Sequence, residues 1–142
     1  MTRYLLVGLA CLLGGCLPIP HFDRVVPAIT GVVTRHGVPV EGASIYLHRR
    51  FPPSAENCSA SPDRVQTDAT GHFAVGPDSD FRFFVTMGDP ITTWTLCIEH
   101  LGTLYIGWQN FEMGYAEAKI TLTCELSTTV QERGNGRGVC RR

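Results

Sequence analysis

Apolar and polar residues alternate along most of this chain with a period of two, in short runs cut by Gly, Pro and Asp. That pattern predicts half-buried β-strands joined by turns rather than helices. Residues 28–34 are rich in β-branched side chains and read as a first strand. Gly37 and Pro39 turn the chain, and Gly42-Ala43 makes a tight approach to residues 44–49. There Ile45 and Leu47 face one way, Tyr46 and His48 the other. Residues 50–64 have no period, contain Pro52, Pro53 and Pro62, and read as a loop that carries Cys58. Residues 65–68 and 72–75 then predict a hairpin around Asp68-Ala69-Thr70-Gly71. Its carboxylate would accept turn N–H groups and its glycine would take a positive φ, a turn-forming role rather than an acid's. Phe73 and Val75 point to the core.

The second half repeats the pattern. Phe81, Phe83 and Val85 alternate with Arg82, Phe84 and Thr86 before Gly88-Asp89-Pro90 breaks the run. Trp94, Leu96 and Ile98 alternate with Thr95, Cys97 and Glu99, and Leu101-Gly102 turns the chain. Leu104, Ile106 and Trp108 follow in one phase. Residues 110–115 read as a loop with an apolar lip of Phe111, Met113 and Tyr115, a candidate exposed binding patch. The clearest strand sets Ala118, Ile120, Leu122, Cys124 and Leu126 against Lys119, Thr121, Thr123 and Glu125. Residues 127–142 are polar, Gly-rich and Arg-tipped, a flexible tail unless Cys140 ties it down. The whole predicts an all-β sandwich around one core, and 142 residues suit one domain.

The N-terminus changes the picture. Arg3 precedes an apolar and glycine run over residues 4–15. The run is too short for a bilayer, which needs about 20 residues, but it suits a signal h-region. It ends Leu12-Leu13-Gly14-Gly15-Cys16, which closely resembles a bacterial lipobox. The resemblance implies cleavage between Gly15 and Cys16, a diacylglyceryl thioether on Cys16 and an acylated amine. The plainer reading is an ordinary secretory signal or a weak membrane anchor, but no Ala-x-Ala site is present. Leu17, where an Asp would imply inner-membrane retention, implies the outer membrane, facing the periplasm. Residues 17–27 hold three prolines and read as an extended spacer in which His21 is solvated.

Gly31, Gly37-x-Pro39-Val40-x-Gly42-Ala43-x-Ile45 and Thr67-Asp68-x-x-Gly71-x-Phe73 together resemble the carboxypeptidase regulatory-like domain. That resemblance covers the first half of the folded part. It implies a transthyretin-like antiparallel Greek-key β-sandwich of about seven strands. The expected organisation is a signal peptide over 1–15, a lipidated tether over 16–27, the sandwich over 28–126 and a polar tail over 127–142.

Little in the chain speaks for catalysis. The net charge is −1 and there is no basic stripe, so no nucleic-acid partner is implied. With Cys16 lipidated and Cys11 removed, Cys58, Cys97, Cys124 and Cys140 remain, an even count that predicts two disulfides in an exported domain. Three pairings satisfy four cysteines; Cys58–Cys97 and Cys124–Cys140 are favoured, because Cys97 lies opposite the core-facing Trp94, Leu96 and Ile98. No Cys-x-x-Cys or His-Glu-x-x-His spacing points to a metal, and no cofactor is expected. There is no Gly-x-Ser-x-Gly elbow, and the Tyr-Arg-Gly-Ser ending of transthyretin-like hydrolases is missing. Lys119 falls on the polar face, away from any buried isopeptide. The expectation is therefore a non-enzymatic binding or scaffolding module on the envelope, its partners the membrane lipid at Cys16 and a separate envelope protein or glycan. One alternative is an envelope-assembly subunit like the sandwich-type lipoprotein of type VI secretion. The other is a small hydrolase using His48, His72, His100 or Glu99.

Overall fold

A computed structural model describes residues 16–50, 58, 64–86 and 88–142, with the side chains of Cys16, Leu17 and Thr86 left out. The signal segment over 1–15 and most of the loop over 50–64 lie outside the described residues. The described chain is nearly all β, and no α-helix occurs among these residues. In order the strands are β1 (Cys16–Leu17), β2 (His21–Val26), β3 (Ala28–Arg35), β4 (Val38–Pro39), β5 (Ser44–His48), β6 (Arg64–Gln66), β7 (His72–Val75) and β8 (Asp78–Arg82). They continue with β9 (Val85–Thr86), β10 (Ile91–His100), β11 (Thr103–Met113), β12 (Lys119–Glu125), β13 (Gln131–Arg133), β14 (Gly136–Gly138) and β15 (Cys140–Arg141).

Two sheets carry the core. The larger runs β13-β14-β11-β10-β5-β6, and the smaller runs β15-β12-β3, with β4 and β7 sharing the other edge of β3. Ile29, Val33, Phe73, Val75, Ile120 and Leu122 from the smaller sheet meet Ile45, Leu47, Trp94, Leu96, Ile98 and Trp108 from the larger in one apolar cluster. The alternation expected over β5, β10 and β12, with the β-branched strand β3, is what fills this layer. An all-β sandwich is thus present, with one departure from an antiparallel plan. β3 and β12 are parallel, pairing Ile29 with Ile120 and Val33 with Cys124.

The strands depart from several local expectations. The segments around Asp68–Gly71 do turn as foreseen, with Gly71 N–H donating to the Asp68 carbonyl at 2.9 Å. They do not pair as a hairpin ladder: β6 joins β5 in one sheet and β7 joins β3 in the other. The turn is an arch between the layers, and buried Thr67 holds its near side. Its hydroxyl donates to the Val40 carbonyl at 2.7 Å and accepts the Ala43 N–H at 2.9 Å.

β11 does not keep one phase. Leu96 pairs with Trp108, but Cys97 pairs with Ile106, so Gly107 is an extra residue in a β-bulge. The bulge turns Trp108 and Tyr105 to the main core and Leu104 and Ile106 to the outer face.

The segment over 17–27 is no free spacer. β2 pairs with β8, placing Phe22 opposite Phe81, and β1 pairs with β9, placing Cys16 opposite Thr86. Val26 and Pro27 are fully buried, and His21 lies 3.2 Å from the Asp23 carboxylate. Phe81, Phe83 and Phe84 are all exposed, so the alternation expected there breaks after Arg82.

The residues over 110–115 are the end of a long strand rather than a loop, with only Gly114 and Tyr115 beyond it. The polar tail is also part of the sandwich: β14 pairs with β11, and β15 pairs with β12. Its glycines serve close approach. A Cβ at Gly136 would run into the Trp108 indole, and one at Gly138 into the Gly107 carbonyl. Replacing Gly136 with Ala should therefore cost about 1–3 kcal/mol by overpacking against Trp108. Urea unfolding checks this, and an unchanged midpoint would mean that the segment does not lie on the ring.

Candidate functional site

The two disulfides are the pairings favoured above. Cys58 bonds Cys97, with Cα atoms 5.7 Å apart and a sequence separation of 39. Cys124 bonds Cys140, its direct partner across β12 and β15. In the chain-entropy model each such loop stabilises by about 3–4 kcal/mol. Cys97 points away from the main core, so the first bond creates a second, smaller core on the outer face of the larger sheet. Cys58, Cys97 and Tyr46 are buried there against Leu104 and Ile106.

The residues proposed for a hydrolase are committed elsewhere or stand apart. The His48 ring nitrogen lies 2.6 Å from the Cys58 carbonyl. The Tyr46 hydroxyl donates to Glu99 at 2.6 Å, and Arg64 lies over the Tyr46 ring. The Glu99 hydrogen bond, with burial and the Glu99 charge behind it, holds the Tyr46 phenol above its usual range. His72 is on β7 in the other sheet, and His100 ends β10. No group of three His, Cys, Asp or Glu side chains comes together at metal-binding distance among the described residues.

Two carboxylates act on turns. Asp68 accepts the Thr70 hydroxyl at 2.6 Å and the N–H groups of Thr70 and His72, with the Thr70 hydroxyl the largest cause of its lowered pKa. Glu125 was not singled out by the sequence beyond its polar-face phase. It accepts the His36 N–H at 2.8 Å, the Gly37 N–H at 3.0 Å and the Thr34 hydroxyl at 3.0 Å across the sheet, with Ser127 on its own side. His36 and Gly37 form a two-residue hairpin turn with φ of 53° and 76°. Burial works against the Glu125 charge, but the Ser127 hydroxyl and the N–H groups of Gly37, Ser127 and His36 outweigh it. They draw the carboxyl down from 4.5 to about 2.

The surface that stands out is apolar. Phe111, Met113 and Tyr115 are 53%, 72% and 57% exposed, and Ile91, opposite Met113, is 63% exposed. Ile91, Phe111 and Met113 share the outer face of the larger sheet, since Trp94 and Asn110 in the alternate phase are buried. Leaving such a side chain out of a core forgoes about 1.5–3 kcal/mol each, so a cluster of them is a surface with a use. Beside it a cleft of ≈ 260 Å³ runs between β2 and the start of β10, lined by Asp23, Arg24, Arg49, Asp80, Thr93 and Tyr115. Arg49 is among its lining residues and bonds Asp78 at 2.5 Å and Asp80 at 2.6 Å, so fixing β8 to the end of β5.

Fold and surface together define an all-β, disulfide-bonded sandwich domain with an uncovered apolar strand end. Residues 29–129 match the family model of a domain of unknown function, DUF6795, and the chain belongs to that family. The match begins in β3 and ends just past β12. No curated protein matches the chain significantly.

Protonating Glu125 should loosen the β3–β12 clamp. Because its folded pKa lies below the ordinary value, its contribution is complete above pH 4.5 and is lost as pH falls toward about 2. Glu125→Gln should cost about 1–3 kcal/mol at pH 7, and the difference from wild type should shrink across that acidic window. Denaturant unfolding at several pH values measures it. A difference constant down to pH 2 would remove Glu125 from this role.

Proposed function

We propose that the protein is a lipid-anchored, non-catalytic binding module of a bacterial envelope, held at the outer membrane through Cys16. It would present the strand-end patch to a separate envelope protein or glycan. The observation that carries the binding role is the exposed group of Ile91, Phe111, Met113 and Tyr115 at the β10–β11 strand end, beside buried Trp94 and Asn110. The polar and charged cleft beside it supplies hydrogen-bonding partners at the rim, the usual composition of an association surface. The Leu13-Gly14-Gly15-Cys16 run supports the anchor, and two disulfides suit an oxidising compartment. The carboxypeptidase regulatory-like, transthyretin-like reading of the Gly, Pro and Asp pattern belongs to this same proposal. In enzymes that carry such domains the module positions a partner, and here the partner would be a separate molecule.

The anchor is tested in growing cells. Metabolic palmitate label should enter the wild-type protein and be lost on Cys16→Ser, with the precursor left uncut. An unlabelled wild-type protein, or label that survives the substitution, would defeat the anchor. The patch is tested separately. A photo-crosslinking residue at Met113 should give a discrete adduct in intact cells, one at exposed Leu101 should give none, and Ile91→Asp should abolish the Met113 adduct. Equal adducts at both positions would reject the patch as a specific surface.

A further inference from the structure

The large exposed apolar side chains are unevenly distributed. Phe22, Phe81, Phe83, Phe84 and Ile19 all lie on the ribbon made by β1, β2, β8 and β9 or at its breaks. Ile91, Phe111, Met113 and Tyr115 lie at the adjoining strand end, across the cleft. Among the described residues only Val38, Leu101 and Val130 are exposed large hydrophobics elsewhere.

The ribbon is two-faced. Phe22 and Phe81 are direct cross-strand partners and touch edge to face with ring centroids 5.4 Å apart, although Phe22 is 74% exposed. Arg24, two residues on, is exposed beside them and also borders the cleft. The other face carries Asp23 and Asp80 toward Arg49 and the body of the domain. Phe83 and Phe84 pack against each other at 5.0 Å, immediately before the residues that pair with Cys16 and Leu17.

We infer that this ribbon is a membrane-surface dock, its aromatic side chains lying in the headgroup region of the leaflet that holds the Cys16 lipid. This rests on the anchor proposed above. The occupant follows from where the chain leaves the fold. Cys16 is hydrogen-bonded into the ribbon opposite Thr86, so an acyl chain on its sulfur would bring the ribbon, before any other part, to the lipid. Aromatic rings with a flanking Arg suit the interface, where one side is apolar and the other carries anionic headgroups. Among the described residues the ribbon strands pair only with each other, which suits the wet interface rather than the hydrocarbon.

The test uses the full, lipidated chain in phosphatidylethanolamine–phosphatidylglycerol vesicles with brominated acyl chains. Tryptophan is introduced singly by Phe84→Trp, Phe22→Trp or Leu101→Trp, all at exposed positions. Leu101 follows the ten-residue β10, about 30 Å from its ribbon end. Bromine should quench the residues at 84 and 22 several-fold more than the one at 101, above the constant signal of buried Trp94 and Trp108. Equally weak quenching at all three positions in protein whose Cys16 peptide carries the lipid mass would overturn the dock and leave the anchor standing. Absence of the lipid mass would defeat the anchor and the dock together. An emission shift at 84 that follows protein concentration without bromine quenching would seat a second copy there and overturn the inference.

Discussion

The parallel register of β3 on β12 is the constraint on which the other contacts depend. Parallel neighbours cannot be joined by a tight turn, so everything from β4 to β11 is laid down between them. The register sets Ile29 against Ile120 and Val33 against Cys124, all pointing inward. A slip of one residue would turn one of these rows out of the core. Two devices guard against the slip. Glu125, at the end of β12, reaches over β3 to the His36–Gly37 turn. Cys124 beside it is bonded to β15, which brings the last residues of the chain onto the same sheet. The lock is therefore partly electrostatic and partly covalent, and only the first part responds to acid.

Much of this was legible where one residue follows another with a fixed period. The inward faces of β5, β10 and β12 could be read from alternation: β12 is half-covered, and β5 and β10 keep the same period although Tyr46, Thr95 and Cys97 on their outer faces are buried too. The outward phase of Cys97 followed from the same rule, and with it the pairing to a loop cysteine rather than to Cys124. The rule fails where the period is interrupted. Gly107 inserts one residue into β11 and exchanges the faces of everything before it, and a glycine between Ile106 and Trp108 does not announce that. Alternation on both sides of Asp68–Gly71 says that two strands meet at a turn. It does not say whether they pair with each other. That was decided by Thr67, whose hydroxyl ties the arch to Val40 and Ala43, contacts 27 and 24 residues away.

Composition alone says less than the structure at both ends of the domain, and at the C-terminal end it was Cys140 that pointed to a tied-down segment. A Gly-rich, polar C-terminal segment reads as disorder because glycine in an unfolded chain has the most freedom to lose. Here Gly136 and Gly138 are present because β14 lies flat on Trp108 and on the bulge at Gly107, where no side chain fits. A proline-rich N-terminal segment likewise reads as a spacer, but Pro18, Pro20 and Pro27 bracket β2 rather than interrupt it, and its residues pair along one edge with β8. The apolar character of Phe111, Met113 and Tyr115 was visible in the sequence. Their partner Ile91 was not, because it joins them only through the β10–β11 register.

That N-terminal pairing bears on how the domain would sit on a membrane. A free spacer over residues 16–26 could extend roughly 35 Å and would leave the sandwich to tumble at the end of its tether. Paired with β8 and β9, the same residues have a fixed direction relative to the body, and Arg49 braces the base of the ribbon through Asp78 and Asp80. The opposite end of the molecule carries the hydrogen-bonded turns at His36–Gly37 and Asp68–Gly71 and the Leu101–Gly102 turn. In an anchored protein this arrangement would fix orientation as well as proximity, with the polar turns away from the lipid. Ile91, Phe111 and Met113 would then face along the membrane rather than into it, because they lie on the outer face of a sheet whose strands run from the ribbon end toward the turns. A partner bound there would be held beside the lipid surface at a height set by the ribbon.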